Sequence, residues 1–222
     1  MNKLIFVVGL ILTSVLFGCS FVPFQKTNYF LVKGINSERV LAKHKELSPD
    51  KFKMINTVIF QYRTKKFLSL GYLSVDVNEK AFDLVAMNSV GIKLVEISAK
   101  NKKLIINNVI DEISKKGDIS KVLVDDIGRI YLDKVPLIYE NIRKTKNQII
   151  VNKKNEDNVT KYIFAGKKNY LVEKIHYEKK KKNWSVRYYE HFIKDGKLYP
   201  KGIIFWNHLH KYKLIINVKE VL

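Results

Sequence analysis

The chain has 222 residues, enough for one domain or at most two, and its single cysteine excludes an internal disulfide, so hydrophobic burial must hold the fold. Its 41 Lys and Arg against 21 Asp and Glu give a formal charge of +20, a field that attracts anionic partners such as lipid headgroups or a membrane surface. No nucleic-acid motif accompanies that charge, and lysines scattered over a solvated surface account for it equally well.

In chain order, Lys3 precedes an apolar run from Leu4 to Phe17 that is too short to span a bilayer as a stable helix. It ends at the small residue Gly18, so residues 1–18 read as a signal peptide. Cys19 follows at once, and a thiolate is the strong nucleophile that thioether lipidation needs. Residues 19–50 read as a tether leading into a short helix, with Ser37 as its N-cap, Leu41 on its apolar side and Pro49 closing it. Residues 51–222 read as one domain. From Phe52 the pattern becomes period two: Phe52, Met54, Val58, Phe60 and Tyr62 share a strand face, with Asn56 as the polar exception. Further strands are predicted over 67–77, 82–87, 92–98 and 103–109, joined by connections short enough to demand antiparallel neighbours. Asp118 then caps a helical segment with Ile119, Val122, Leu123, Ile127 and Ile130 at helical spacing. Pro136 ends it, and a second short helix is expected near Tyr139. Strands return over 148–153, 159–164, 170–177, 184–192, 203–206 and 212–221. About ten or eleven strands around one helical insertion make an α+β domain, mainly β.

Little in the sequence carries chemistry. His208 and His210 alternate on an expected strand, but no cysteine or nearby carboxylate before Glu220 completes a metal set. His44, His176 and His191 stand alone, as surface or lining residues. Asp111-Glu112 and Asp125-Asp126 are adjacent, so on a helix each pair points apart. No nucleophile elbow, zincin helix or phosphate loop is present, so no enzyme is expected. The run Lys179 to Lys182 reads as a solvated hairpin turn.

Leu16-Phe17-Gly18-Cys19 resembles the bacterial lipobox, although Phe17 is bulkier than that motif usually has. The resemblance implies a diacylglyceryl and N-acyl chain on Cys19, with no other cofactor and no metal. Ser20 in place of the Asp that retains lipoproteins in the inner membrane implies the periplasmic face of the outer membrane, or the outer face of the cell membrane in a single-membraned bacterium. Three further stretches resemble the LolB-like outer-membrane lipoproteins, including uncharacterised relatives found near aryl-polyene genes. They are Phe82 to Leu94, with Ser89-Val90-Gly91 where the family has Pro-Leu-Gly; Asp118 to Ile130, ending near Gly128; and Asn183 to Tyr188, then Tyr199-Pro200-Lys201 and Tyr212 to Ile216. Their order agrees over nearly all of the chain after Cys19. The resemblance implies an antiparallel half-barrel wrapped over a few helices, with an apolar cavity for acyl chains. Phe60, Tyr62, Leu70, Tyr72, Leu84, Leu94, Ile106, Leu123 and Ile127 are the expected lining. Val90 is the expected membrane-loop residue, with the alternative that it starts the next strand. The implied function is a monomeric carrier of lipid or acylated protein in lipoprotein localisation or lipid trafficking. The alternative is an anchored module that docks an anionic partner through its basic surface.

Overall fold

The computed structural model describes residues 22–101, 103–110, 119–137 and 141–222. The expectations for Cys19, Asp111-Glu112, Asp118 and Tyr139 fall outside them. Five strands come first: β1 (Lys51–Tyr62), β2 (Lys65–Asp76), β3 (Ala81–Met87), β4 (Lys93–Lys100) and β5 (Lys103–Val109). Seven follow the helical insertion: β6 (Ile142–Lys144), β7 (Ile149–Asn155), β8 (Asn158–Ala165), β9 (Tyr170–Glu178), β10 (Lys181–Lys194), β11 (Lys197–Asn207) and β12 (Tyr212–Val221). They form one 12-stranded sheet in the order β5-β4-β3-β2-β1-β12-β11-β10-β9-β8-β7-β6, antiparallel throughout. Two meanders are thus joined through β1 and β12, and the sheet stays open between its outer strands β5 and β6. This is the expected half-barrel, with one strand more than the sequence suggested. β6 has only three residues, too few for a period to register.

Helix α1 (Ser37–Leu47) and helix α2 (Ile119–Ile127) are the helices of the described residues, and α2 continues into a π-helical turn, Gly128–Leu132. Asn36, one residue before the expected cap, accepts from the backbone N–H of Arg39 at 3.1 Å. Ser48 closes α1 by donating both its N–H and its hydroxyl to the carbonyl of His44. Leu41 is fully buried from α1 among Val151, Phe164, Val186 and Phe205, on the sheet's inner face. Ile127 does the same from α2, among Phe52, Leu73, Phe82 and Ile97. The alternation seen in β1 therefore has a plain cause: one face packs on the helices.

The outer face has its own small core. Phe24, from the segment that leads out of the tether, packs with Tyr189, Ile204 and Ile215. It lies over Gly202, where an added Cβ would sit 2.4 Å from the Phe24 ring, closer than any carbon contact allows. Gly202 is needed here because a ring, not water, covers it. Gly202→Ala is therefore expected to expel Phe24, costing about 2 kcal/mol, and to open residues 22–28 to protease. Phe24→Ala added in that background should cost little more, which a double-mutant cycle measures.

β11 starts six residues earlier than expected, at Lys197, and runs through Pro200. Pro200 is paired with His191, beside Glu190 in the left-handed region at φ 51°. A proline inside a strand reads as a break, and a local irregularity in the partner strand tolerates it.

Candidate functional site

A cavity of about 320 Å³ lies on the inner face between the C-terminal end of α1, the stretch after α2 and the lower halves of β1 and β9–β11. Phe52, Met54, Leu171, Tyr188, Tyr199 and Val135 supply apolar wall. Polar groups enter from His44, His191, Asp133 and Lys174. The size falls at the lower end of small-molecule sites and is about twice an engineered cavity that takes one benzene. Apolar walls with a few fixed polar groups suit one flexible hydrocarbon chain better than a polar ligand.

One buried cation holds the roof. Lys174, on the inner face of β9, is almost fully buried and donates to the carbonyls of Arg129, Ile130 and Asp133 at 3.2, 3.4 and 2.8 Å. These are carbonyls at the C-terminal end of α2 and its π turn, which have no helical partners and carry the negative end of the helix dipole. Burial pulls the Lys174 ammonium down to about 8, while the nearby Asp133 carboxylate opposes the shift. Asp133 in turn accepts from the Tyr162 hydroxyl at 2.9 and 2.8 Å, and the Tyr188 hydroxyl donates to the carbonyl of Ile130 at 2.7 Å. Tyr131 lines the cavity, and its hydroxyl is buried without a hydrogen-bond partner among the described residues.

A second set of bonds fixes the other end of the π turn. Asp126 is wholly buried, accepts from the Tyr212 hydroxyl and pairs with Arg129 at 2.8 Å. Burial pushes its carboxyl up to about 6 despite the Tyr212 and Arg129 bonds. Arg129 also stands over the Trp184 ring at 5.9 Å. The roof of the cavity is thus tied to β8–β10 and β12 by directional bonds rather than by packing alone.

Two histidines make the region acid-sensitive. Burial, chiefly, takes both His44 and His191 down to about 4, and Lys174 and the second imidazole add to the shift at His44. A depressed imidazole stays neutral in the folded chain while the unfolded chain takes up a proton near 6.5. Its contribution to stability is therefore present above 6.5 and lost as pH falls towards 4. Asp126, raised from 3.8 to about 6, acts in the opposite sense: its contribution is present below 3.8 and lost as pH rises through 6. Two histidines outweigh one aspartate, so unfolding free energy is expected to drop on the order of 2 kcal/mol between pH 6.5 and 4. His191→Gln should flatten that slope, as denaturant titrations across the window will show.

The expected lining residues sit elsewhere. None of the nine lies on the wall of this cavity. Leu84, Leu94, Leu123 and Ile127 belong to the inner core around Phe52, and Phe60 packs on Tyr212 and Phe67. Ile106 pairs with Ile97 on the edge strand β5, and Tyr62 ends β1. Leu70 and Tyr72 require a correction. They pair with Thr57 and Ile55, so they share the outer face with Ile59 and cannot line an inner cavity.

Val90 does not start a strand, since β4 begins at Lys93. It is 75% exposed in a turn in which the Asn88 side chain accepts from the N–H groups of Val90 and Ile92. His208 and His210 lie in the β11–β12 turn, not on a strand. His208 meets the Ser185 hydroxyl at 3.1 Å and His210 stacks on Tyr212. His176 is stacked on Trp184 with a ring separation of 5.2 Å. Among the described residues no group of three metal-ligating side chains forms, and no helix is long and apolar enough to cross a membrane.

No family model matches the sequence, and no curated protein matches it. Solved structures do. A LolA superfamily protein from Nitrosomonas europaea is 13% identical, with 85% of this chain and 93% of that one covered at a TM-score of 0.48. A domain described as an outer membrane lipoprotein-sorting protein domain, from Vibrio parahaemolyticus, is 10% identical, with 83% of this chain and 91% of that one covered at a TM-score of 0.54. On that second likeness the chain shares its fold, an open antiparallel half-barrel over short helices, with a lipoprotein-sorting protein domain.

Proposed function

We propose that this chain is an envelope lipoprotein, anchored through Cys19, that takes an acyl chain of a lipid or lipoprotein into its half-barrel without covalent chemistry. The observation that carries the reading is the 320 Å³ apolar cavity roofed by the turn after α2, in a fold shared with a lipoprotein-sorting domain. Ten buried methylenes offer roughly 8 kcal/mol, which before ordering costs corresponds to micromolar binding. The lipobox-like Leu16-Phe17-Gly18-Cys19 and Ser20 support anchoring at the outer membrane, and the LolB-like stretches with the shared fold support a role in lipoprotein localisation or lipid trafficking.

The test is titration of residues 20–222 with a fluorescent fatty acid. Saturable micromolar binding, displaced by unlabelled palmitate, is the expected result. A linear, non-displaceable signal contradicts the proposal.

A further inference from the structure

The sheet has two unlike ends. At one, the β1–β2 and β11–β12 turns lie side by side, because β1 pairs with β12 from Tyr62↔Tyr212 onward. This upper end shows exposed Tyr62, Phe67, Leu68 and Leu209, the last two 60% and 65% exposed. Arg63, Lys65, Lys66 and Lys211 surround them, also exposed. Neither 61–71 nor 207–219 contains an Asp or Glu. At the lower end, by contrast, three lysines are paired with acids, Lys51–Asp76 at 3.4 Å, Lys100–Glu79 at 2.8 Å and Lys134–Asp50 at 3.3 Å, while Lys167 and Lys168 in the β8–β9 turn form no such pair among the described residues.

The N-terminal segment gives a second, independent observation. It climbs the outer face from the lower end. Thr27 lies against Gly166 in the β8–β9 turn, the Gln25 N–H meets Glu190 at 2.8 Å, and Phe24 covers Gly202. Val22 then joins the cluster that contains Ile59 and Trp206, near the upper ends of β1 and β11. From Gly202 to the end of β11 at Asn207 is about 17 Å of strand. The five residues from Phe24 back to Cys19 can span at most about the same distance.

We infer that the upper end, formed by the β1–β2 and β11–β12 turns, docks on the surface of an anionic lipid bilayer. The inference rests on the anchored reading above, by which an acylated Cys19 is within chain reach of this end. Apolar tips enter the headgroup boundary, and each nearby Lys or Arg adds attraction of about 1 kcal/mol to anionic lipid. The cavity, on the lower half of the inner face, then stays clear of the membrane for cargo.

The test reconstitutes the mature lipidated chain into phosphatidylcholine vesicles with and without phosphatidylglycerol, and reads amide exchange. On anionic vesicles, exchange in 61–68 and 207–213 should slow at least about tenfold, and about 0.5 M salt should reverse it. The combined variant Arg63→Glu, Lys65→Glu, Lys66→Glu, Lys211→Glu should lose the effect. Lys167→Glu with Lys168→Glu, at the lower end, should keep it. Equal exchange at both ends, or protection that survives the fourfold variant, overturns the inference. Protection that tracks protein density on both vesicle types points to a second copy of the chain and also overturns it. An intact mass showing unmodified Cys19 would fail the anchor reading alone. The same protein added from solution then decides the docking surface: salt-sensitive retention on anionic vesicles supports it, and no retention overturns it.

Discussion

Lys174→Ala is expected to lower the unfolding free energy by about 3 kcal/mol or more. The substitution removes three charge-assisted bonds to the carbonyls of Arg129, Ile130 and Asp133 and leaves those carbonyls buried. It also takes away the ammonium 4.0 Å from the Asp133 carboxylate at the centre of the roof, which among the described residues keeps Tyr162 and Lys153 as side-chain partners. Local failure should precede global failure: exchange across 127–133 should rise before the sheet unfolds. Lys174→Met separates charge from bulk, since it restores most of the buried stem. If Lys174→Met is as stable as the native chain, the ammonium is not what holds the roof. Thermal and denaturant unfolding of the three proteins, with exchange on the turn, measures both effects.

Val135→Trp should reduce fatty-acid binding at least about tenfold, the loss of roughly two buried methylenes or more. Val135 stands on the cavity wall and packs against the inner core, so an indole there occupies hydrocarbon space. Filling an existing void avoids the overpacking that an already dense core suffers, so the melting temperature should move by only a few degrees. Unchanged affinity in the titration with fluorescent fatty acid would mean that the chain binds elsewhere.

The strands were legible because one face of the sheet packs on helices. Phe52, Met54, Val58 and Phe60 alternate for that reason, and Asn56 at the β1 irregularity did not hide it. β2 was harder to read. Its inner face carries small Ser69 and Gly71 while its outer face carries Leu68, Leu70 and Tyr72, so hydrophobicity favours the wrong face there. Only the register with β1 decides it. The cavity was illegible because its walls depend on where α1 and the turn after α2 rest, and no local pattern records that. Lys174 was hidden among 41 basic residues. One local signal was available: it stands between Leu171-Val172 and Ile175 in a strand, where an unpaired charge is costly and a partner has to be sought.

Native mass spectrometry of residues 20–222, exported to the periplasm behind a cleavable signal peptide, followed by lipid extraction, tests the central claim most directly. The carrier account predicts a discrete adduct that extracts as a fatty acid, phospholipid or acylated peptide, and that is diminished in Val135→Trp. A clean apo mass that stays unchanged after incubation with lipid would contradict it.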